Sequence, residues 1–243
     1  MVHDPSIAVV AMHGWAGDAR CWRPWIEATA ESGWRWECGE RGYGEQAPFD
    51  PAWPSEQGPD THLVVIAHSL GLHLVAPDVL RQARSVVLLA SFGTFVPPGR
   101  AGRRARAALD GMADKLGSEA EAKAMLQNFF TNVATPQSPN LLPTGPMEGK
   151  LRLERLRADL EILARCEGLP RDFPHNTDVL VVEAGEDRIV DPMAQSMLRE
   201  ALPQADIIRL EGSGHALLGA PLVPKVVAWV QSTRCRETRN AVQ

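Results

Sequence analysis

Residues 62–71 read His-Leu-Val-Val-Ile-Ala-His-Ser-Leu-Gly and carry the clearest structural signal in the chain. The apolar, β-branched run at the start of this stretch predicts a strand that is buried on both faces. The small residues Ala67 and Gly71 flank Ser69, which permits a sharp turn at the end of the strand. Residues 70–83 have the length of a helix that follows this turn. A buried strand that leads at once into a helix is typical of a parallel sheet covered by helices.

Further apolar runs have the same character and are bounded by polar residues, glycine or proline. They span residues 7–12, 85–90, 178–183 and 205–210, and a less regular run covers residues 34–38. Helix-length segments occupy residues 24–32, 192–201 and 221–233. Because strands and helices alternate strictly, the sequence predicts an α/β fold with a doubly wound, mainly parallel sheet.

The alternation breaks over residues 94–176, which are helical, charged and punctuated by proline and glycine, without a clear strand. Within this segment, residues 119–130 and 151–166 have the pattern of amphipathic helices. We therefore predict a core domain of residues 1–93 and 177–243, into which residues 94–176 are inserted as a helical cap.

The composition indicates an ordinary globular protein, because 44% of the 243 residues are hydrophobic and 23% are charged. A net charge of −5 argues against a nucleic-acid partner, which usually requires a basic face. The chain shows no basic leader and no apolar stretch near the ~20 residues of a membrane span. We expect a cytoplasmic monomer that does not bind membranes.

The four cysteines are far apart and form no C-x-x-C pair. They are Cys21, Cys38, Cys166 and Cys235. This spacing indicates neither a zinc site nor a disulfide framework, so reduced thiols are expected. We expect neither a metal nor an organic cofactor.

The stretch Ala67-His68-Ser69-Leu70-Gly71 has the form of a nucleophile elbow, with Ala67 in place of the usual first glycine. A serine hydroxyl is a poor nucleophile until a neighbouring base takes its proton. The elbow therefore predicts a carboxylate and then a histidine further along the chain.

Asp187 and His215 fulfil this expectation, because each follows a predicted strand. Ligands bind at the carboxyl ends of strands in open α/β sheets. We predict Ser69 as nucleophile, His215 as general base and Asp187 as the acid that orients the histidine. Asp191 is the rival acid, but Pro192 follows it directly, which is typical of a helix N-cap. Each of these residues alone could also have a purely structural role.

His13-Gly14-Trp15 follows the first predicted strand. This is the position from which enzymes with a nucleophile elbow supply one backbone N–H to an oxyanion hole. The predicted donors are the main-chain N–H groups of Trp15 and Leu70. Trp15 could also shape the pocket, and His68 is predicted to pack in the pocket wall.

Three parts of the sequence carry a closer likeness to a known family. The first is residues 13–22, the second is residues 156–163, and the third combines residues 185–190 with residues 214–216. With them the chain resembles the α/β-hydrolase superfamily over nearly its whole length. It is most similar to the pimeloyl-acyl-carrier-protein methyl ester carboxylesterases of biotin synthesis. This resemblance implies a serine carboxylesterase that hydrolyses the methyl ester of a carrier-bound pimeloyl chain. The family usually has tryptophan where this chain has His68.

The resemblance also implies that arginines of the cap grip the acidic carrier protein. The candidates are Arg100, Arg103, Arg104, Arg152 and Arg155. The segment 94–176 has 12 Lys and Arg against 10 Asp and Glu, whereas the rest of the chain has 13 against 20. A cationic cap on an acidic body could steer an acidic carrier. The alternative is a solvated, arginine-rich helix face.

Two other interpretations remain open. The same triad could serve a general short-chain esterase, a thioesterase or a carbon-carbon bond hydrolase. The chain could also be a small-molecule receptor built on the hydrolase fold, in which the cap closes over a ligand without catalysis.

Overall fold

The computed structural model describes residues 7–55, 58, 60–142, 145, 147, 149–217 and 222–240. Its centre is a sheet of six strands, β1 to β6 in chain order: Ile7–Met12, Arg35–Gly39, His62–His68, Ser85–Leu89, Asp178–Ala184 and Asp206–Leu210. The spatial order is β2-β1-β3-β4-β5-β6, and each neighbouring pair is parallel. The predicted α/β fold with a parallel sheet is therefore confirmed.

Seven α-helices accompany the sheet in the described part of the chain. In chain order, α1 to α7 are Arg23–Thr29, Pro77–Gln82, Gly99–Lys115, Glu119–Ala134, Leu153–Arg165, Pro192–Ala201 and Leu222–Asn240. None of these described helices combines the length and the apolarity that crossing a bilayer requires.

The middle of the sheet is formed by β1, β3 and β4, whose side chains are buried on both faces except at His68. This double burial explains the continuous apolar runs. The chain passes from β1 to β2 on one side and then to β3 on the other, so the strand order reverses at β1. The carboxyl ends of β1 and β3, where Met12 lies beside Ala67, therefore border the crevice in which such sheets bind ligands.

The prediction of a helix over residues 70–83 is wrong for the residues before Pro77. A 3-10 turn, Ser69–His73, follows β3, and α2 begins only at Pro77. Proline disfavours helical backbone angles in the preceding residue, and Ala76 accordingly is extended, with φ −60° and ψ 139°.

Three helices, α3 to α5, lie between β4 and β5, where the sequence predicts the cap. The predicted helices over residues 119–130 and 151–166 correspond to α4, which continues to Ala134, and to α5. Helix α3 has no counterpart among the individual helices predicted from the sequence. The described residues of this segment contain no strand.

The segment between β4 and β5, which we call the cap after the prediction, packs on the rest of the protein, which we call the sheet domain, through one hydrophobic cluster. Leu126 and Leu156 of the cap and Tyr43 and Leu70 of the sheet domain all belong to it and have no solvent-exposed area. Each fully buried side chain of this kind stabilises the fold by roughly 1.5–3 kcal/mol. The cap and the sheet domain therefore share a continuous core at this contact.

A buried polar group, the Asp159 cluster, lies within the same contact and consists of Arg41, Tyr43 and Asp159. Asp159 on α5 is 1% exposed and accepts hydrogen bonds from Arg41 Nε at 2.8 Å and Nη2 at 2.7 Å, and from Tyr43 Oη at 2.7 Å. Burial and the Asp159 carboxylate raise the pKa of Tyr43, so its phenol stays protonated and donates. The cluster thus joins helix α5 of the cap to the loop after β2.

Replacing Asp159 by asparagine is expected to destabilise the protein by about 3 kcal/mol, because it removes one charge of a buried ion pair and leaves Arg41 with the longer contact to the exposed Asp50, at 3.7 Å. Chemical denaturation measures this loss. The matched control is Arg165→Ala on the same helix, which breaks an exposed pair with Glu161. Exposed pairs are worth at most about 1 kcal/mol. Equal effects of the two substitutions would contradict the expected role of the Asp159 cluster.

Candidate active site

Ser69 occupies the sharp turn at the end of β3 and has a φ of 54°, in the left-handed region. This conformation is strained for a residue with a side chain and persists only when the surroundings enforce it. A Cβ at Gly71 would lie 2.3 Å from the carbonyl oxygen of Met12, so the close approach of the turn to β1 requires glycine there. The hydroxyl of Ser91 also donates to the carbonyl oxygen of Ser69 at 2.8 Å.

The structure brings the three predicted catalytic residues together. His215 Nε2 lies 3.0 Å from Ser69 Oγ, and His215 Nδ1 lies 2.9 Å from Asp187 Oδ2. A carboxylate can only accept, so the neutral ring carries its proton on Nδ1 and Nε2 accepts the proton of the serine hydroxyl. The His215 and Asp187 side chains are each 2% exposed. This arrangement matches the geometry in which a histidine activates a serine.

The second oxygen of Asp187 is held by its own loop. Asp187 Oδ1 accepts from the backbone N–H of Ile189 at 2.8 Å and of Val190 at 2.9 Å. Burial raises the pKa of Asp187, but His215 and these two backbone N–H groups outweigh it and lower the pKa below its usual value. Asp191, the rival acid, instead accepts from Met193 N at 2.8 Å and caps α6. The loop therefore gives its two aspartates different contacts.

The two predicted oxyanion donors lie on the loops that follow the neighbouring strands β1 and β3. Leu70 follows Ser69 at the start of the 3-10 turn, where backbone N–H groups have no partner within the helix. Trp15 lies in the loop after β1, and its indole Nε1 donates to the carbonyl oxygen of Leu156 in the cap at 2.8 Å. Its ring also packs edge-on against Phe129, with centroids 5.0 Å apart. The cap thus holds the loop that carries this N–H.

Two cavities meet at Ser69, Trp15 and Phe129. The first, which we call the apolar chamber, has a volume of about 330 Å³, and its walls include Trp22, Trp25, Leu217 and Leu222. The second, the cationic chamber, has a volume of about 660 Å³ and lies under helix α3. Its walls include Arg104, Lys115, Arg188, Asn128 and Asn132. Ser69 therefore has open space on two sides.

The five candidate arginines for carrier binding are exposed and lie at different places. Arg104 lines the cationic chamber, whereas Arg103 lines a separate surface groove beside Thr94. Arg100, Arg152 and Arg155 are not among the described lining residues of either chamber. Among the residues that the structure describes, no group of three His, Cys, Asp or Glu side chains could hold a metal ion.

His68, which precedes the serine, makes a contact that the local sequence does not predict. Its Nε2 lies 2.9 Å from the backbone carbonyl oxygen of His215, and the two rings are 5.1 Å apart. Burial, and to a smaller extent the charge of His215, lower the pKa of His68 from 6.5 to about 4. The neutral His68 ring therefore donates to the loop that carries His215.

The pKa of His68 predicts a loss of stability in acid. Between about pH 6.5 and pH 4 the unfolded chain binds a proton at this histidine and the folded protein does not, so stability falls as the pH falls through this range. His68→Gln keeps a donor that does not titrate, so its loss of unfolding free energy between about pH 7 and about pH 4.5 should be smaller by roughly 2 kcal/mol. Urea denaturation at the two pH values measures the difference.

The control for this measurement is His175→Gln, because His175 is exposed. That variant should lose as much stability in acid as the unmodified protein. An equal loss in the His68 variant would contradict the assignment.

Solved structures with the same fold occur at low sequence identity. An esterase from Exiguobacterium antarcticum has a TM-score of 0.66 and 15% identity, over 93% of this chain and 92% of the other. A bromoperoxidase from Bacillus anthracis has a TM-score of 0.62 and 14% identity, over 98% and 90%. BioG from Haemophilus influenzae has a TM-score of 0.57 and 13% identity, over 88% and 91%. A search among curated proteins gave no significant match.

At such identities the likeness to solved structures shows the fold alone. The family is shown by a sequence model, that of the alpha/beta hydrolase family, which matches residues 9–224. The matched range contains the turn at Ser69, the cap helices and the loops of Asp187 and His215. The chain therefore belongs to the alpha/beta hydrolase family.

Proposed function

We propose that this protein is a serine hydrolase that cleaves carboxylic esters through an acyl-enzyme. The observation that supports this most strongly is the unbroken chain of hydrogen bonds from Ser69 through His215 to Asp187, at 3.0 and 2.9 Å. The serine end of this chain opens into both chambers. A buried triad that faces a cavity has the parts that acyl transfer requires.

In the first half-reaction, Ser69 Oγ attacks the ester carbonyl carbon while its proton passes to His215 Nε2. The carbonyl oxygen becomes negative and faces the N–H groups of Trp15 and Leu70, where preorganised donors stabilise it. The intermediate collapses, the bond to the alcohol oxygen breaks, and His215 returns the proton to that oxygen. An ester between Ser69 and the acyl group remains.

In the second half-reaction, water replaces the alcohol. His215 Nε2 takes a proton from the water as the water oxygen attacks the acyl carbon, and then gives this proton to Ser69 Oγ as the acid leaves. Asp187 stabilises the positively charged ring in both steps and keeps it in one orientation. The lowered pKa of Asp187 keeps this carboxyl ionised at neutral pH.

The two aspartates of the same loop provide a matched pair of variants. Asp187→Asn is expected to reduce kcat by about 10⁴-fold, because an amide at this position favours the wrong histidine tautomer. Asp191→Asn should keep most of the activity, since asparagine is also a good N-cap. Hydrolysis of a p-nitrophenyl ester by the two folded variants measures the difference. Similar losses in both would contradict the assignment of the acid.

The finer proposal is that the ester is a methyl ester of a pimeloyl chain on acyl-carrier protein, in the biotin pathway. It rests on the resemblance of residues 13–22, 156–163 and 185–190 to that family. The exposed arginines of the cap, with Arg104 at the cationic chamber, are in agreement with an acidic carrier as partner. A cytoplasmic location and a monomeric state belong to the same proposal.

The release of methanol tests this proposal. The purified protein should release methanol from pimeloyl-carrier methyl ester with a kcat/KM well above that for a short p-nitrophenyl ester, because the carrier contacts the cap as well as the site. Ser69→Ala should lose several orders of magnitude on both substrates. Activity on the small ester alone would leave a general esterase, and a preference for thioesters would indicate a thioesterase.

A fluorophosphonate probe distinguishes the enzyme from a receptor. The probe should label the unmodified protein at Ser69 and should not label Ser69→Ala. An unlabelled protein with normal folding would favour a small-molecule receptor on the hydrolase fold.

A further inference from the structure

The two chambers differ in their position relative to His215. His215 and its neighbours Ala216 and Leu217 line the apolar chamber. None of the described residues that line the cationic chamber belongs to the His215 loop, and that chamber is bordered instead by residues 187–192. The leaving alcohol must receive its proton from His215 Nε2, so its oxygen lies next to that atom when the bond breaks. The alcohol part of the ester therefore extends into the apolar chamber.

The apolar chamber is much larger than a methyl group. An engineered cavity of about 150 Å³ is enough to bind benzene, and this chamber has about 330 Å³. Apart from histidines, Asp18 is the one residue with a formal charge among its described lining residues. The Asp18 carboxylate accepts hydrogen bonds from Arg20, from Nε to Oδ1 at 2.8 Å and from Nη2 to Oδ2 at 2.7 Å. The chamber thus suits an apolar group with the size of an aromatic ring or larger.

The cationic chamber has the opposite character. Arg104, Lys115 and Arg188 line it and form no ion pair with any other side chain that the structure describes. Its two carboxylates are engaged, because Asp187 pairs with His215 and Asp191 caps α6. The described lining therefore carries three cations against two carboxylates, a net charge of +1, so an acyl group that enters this chamber meets an excess of positive charge.

We propose that the enzyme hydrolyses esters of apolar alcohols much larger than methanol, with the alcohol in the apolar chamber and an anionic acyl group in the cationic chamber. This inference rests on the proposed esterase function and is an alternative to the carrier-bound methyl ester as the substrate, because a methyl group fills little of the apolar chamber. Val223 on α7 and Leu141 of the cap line the alcohol side, and Ala108 on α3 lines the acyl side.

Monoesters of adipic acid provide the test, because each has a free carboxylate at the end of its acyl chain. Methyl and benzyl adipate have leaving alcohols of similar acidity, so a difference in kcat/KM reports on the chamber and not on leaving-group reactivity. The benzyl ester should exceed the methyl ester by tenfold or more, about the effect of filling an apolar pocket. Benzyl adipate should likewise exceed neutral benzyl hexanoate. A methyl preference, or no preference for the anionic acyl chain, would overturn the proposal.

Two filling variants assign the chambers independently. Val223→Phe should lower kcat/KM for benzyl adipate about tenfold and leave that for methyl adipate within about threefold. Ala108→Phe should lower kcat/KM for benzyl adipate but leave that for benzyl acetate, whose acyl group is too short to enter the cationic chamber. If Val223→Phe does not fold, Leu141→Trp replaces it, because Leu141 is 60% exposed at the chamber. The reverse pattern of effects would overturn the assignment.

Failure of this inference is distinguishable from failure of the proposed function. If fluorophosphonate does not label Ser69 and no ester is hydrolysed, the esterase proposal itself fails. If Ser69 is labelled and small esters are hydrolysed, but the alcohol and acyl preferences are absent or reversed, only the assignment of the chambers fails.

Discussion

Ser69 is held in the left-handed region of the backbone, with a φ of 54°, between strands that cannot shift without breaking the sheet. The missing Cβ of Gly71 lets the turn approach the carbonyl oxygen of Met12, and Ser91 donates to the carbonyl oxygen of Ser69. The strain is tolerable because β1, β3 and β4 are buried on both faces and fix the ends of their loops. The position of every other group at the site is defined relative to this turn.

Helix α5 of the cap connects two of the loops at this edge of the sheet. Its Asp159 binds the loop after β2 through Arg41 and Tyr43, and its Leu156 carbonyl accepts from the indole of Trp15 in the loop after β1. The backbone N–H of Trp15 is one of the two proposed oxyanion donors. A displacement of α5 would therefore change both the wall of the cationic chamber, which includes Leu163, and the geometry of the proposed oxyanion hole, so the proposed catalysis depends on the position of the cap.

The charges around the triad favour a single protonation state. Asp187 has a lowered pKa and stays ionised, whereas the pKa of His68 is lowered to about 4 and its ring stays neutral next to His215. Two adjacent cationic imidazoles would repel each other. Because His68 remains neutral, His215 is the histidine that gains a proton in the proposed reaction, with the Asp187 carboxylate to stabilise it.

The strands, the turn at Ser69 and the different surroundings of Asp187 and Asp191 are predictable from local sequence, because each depends on neighbouring residues such as Gly71 and Pro192. The helix predicted directly after Ser69 is wrong, because Pro77 disfavours helical backbone angles at Ala76. Asp159 lies on the apolar face of its helix beside Leu156 and Leu163, which is a local signal of a buried partner, but Arg41 is 118 residues away. That pairing, the contact of His68 with His215, and the size and charge of the two chambers follow from the tertiary fold. Each of these is formed by side chains from distant segments, and their distances are set by packing and not by local sequence.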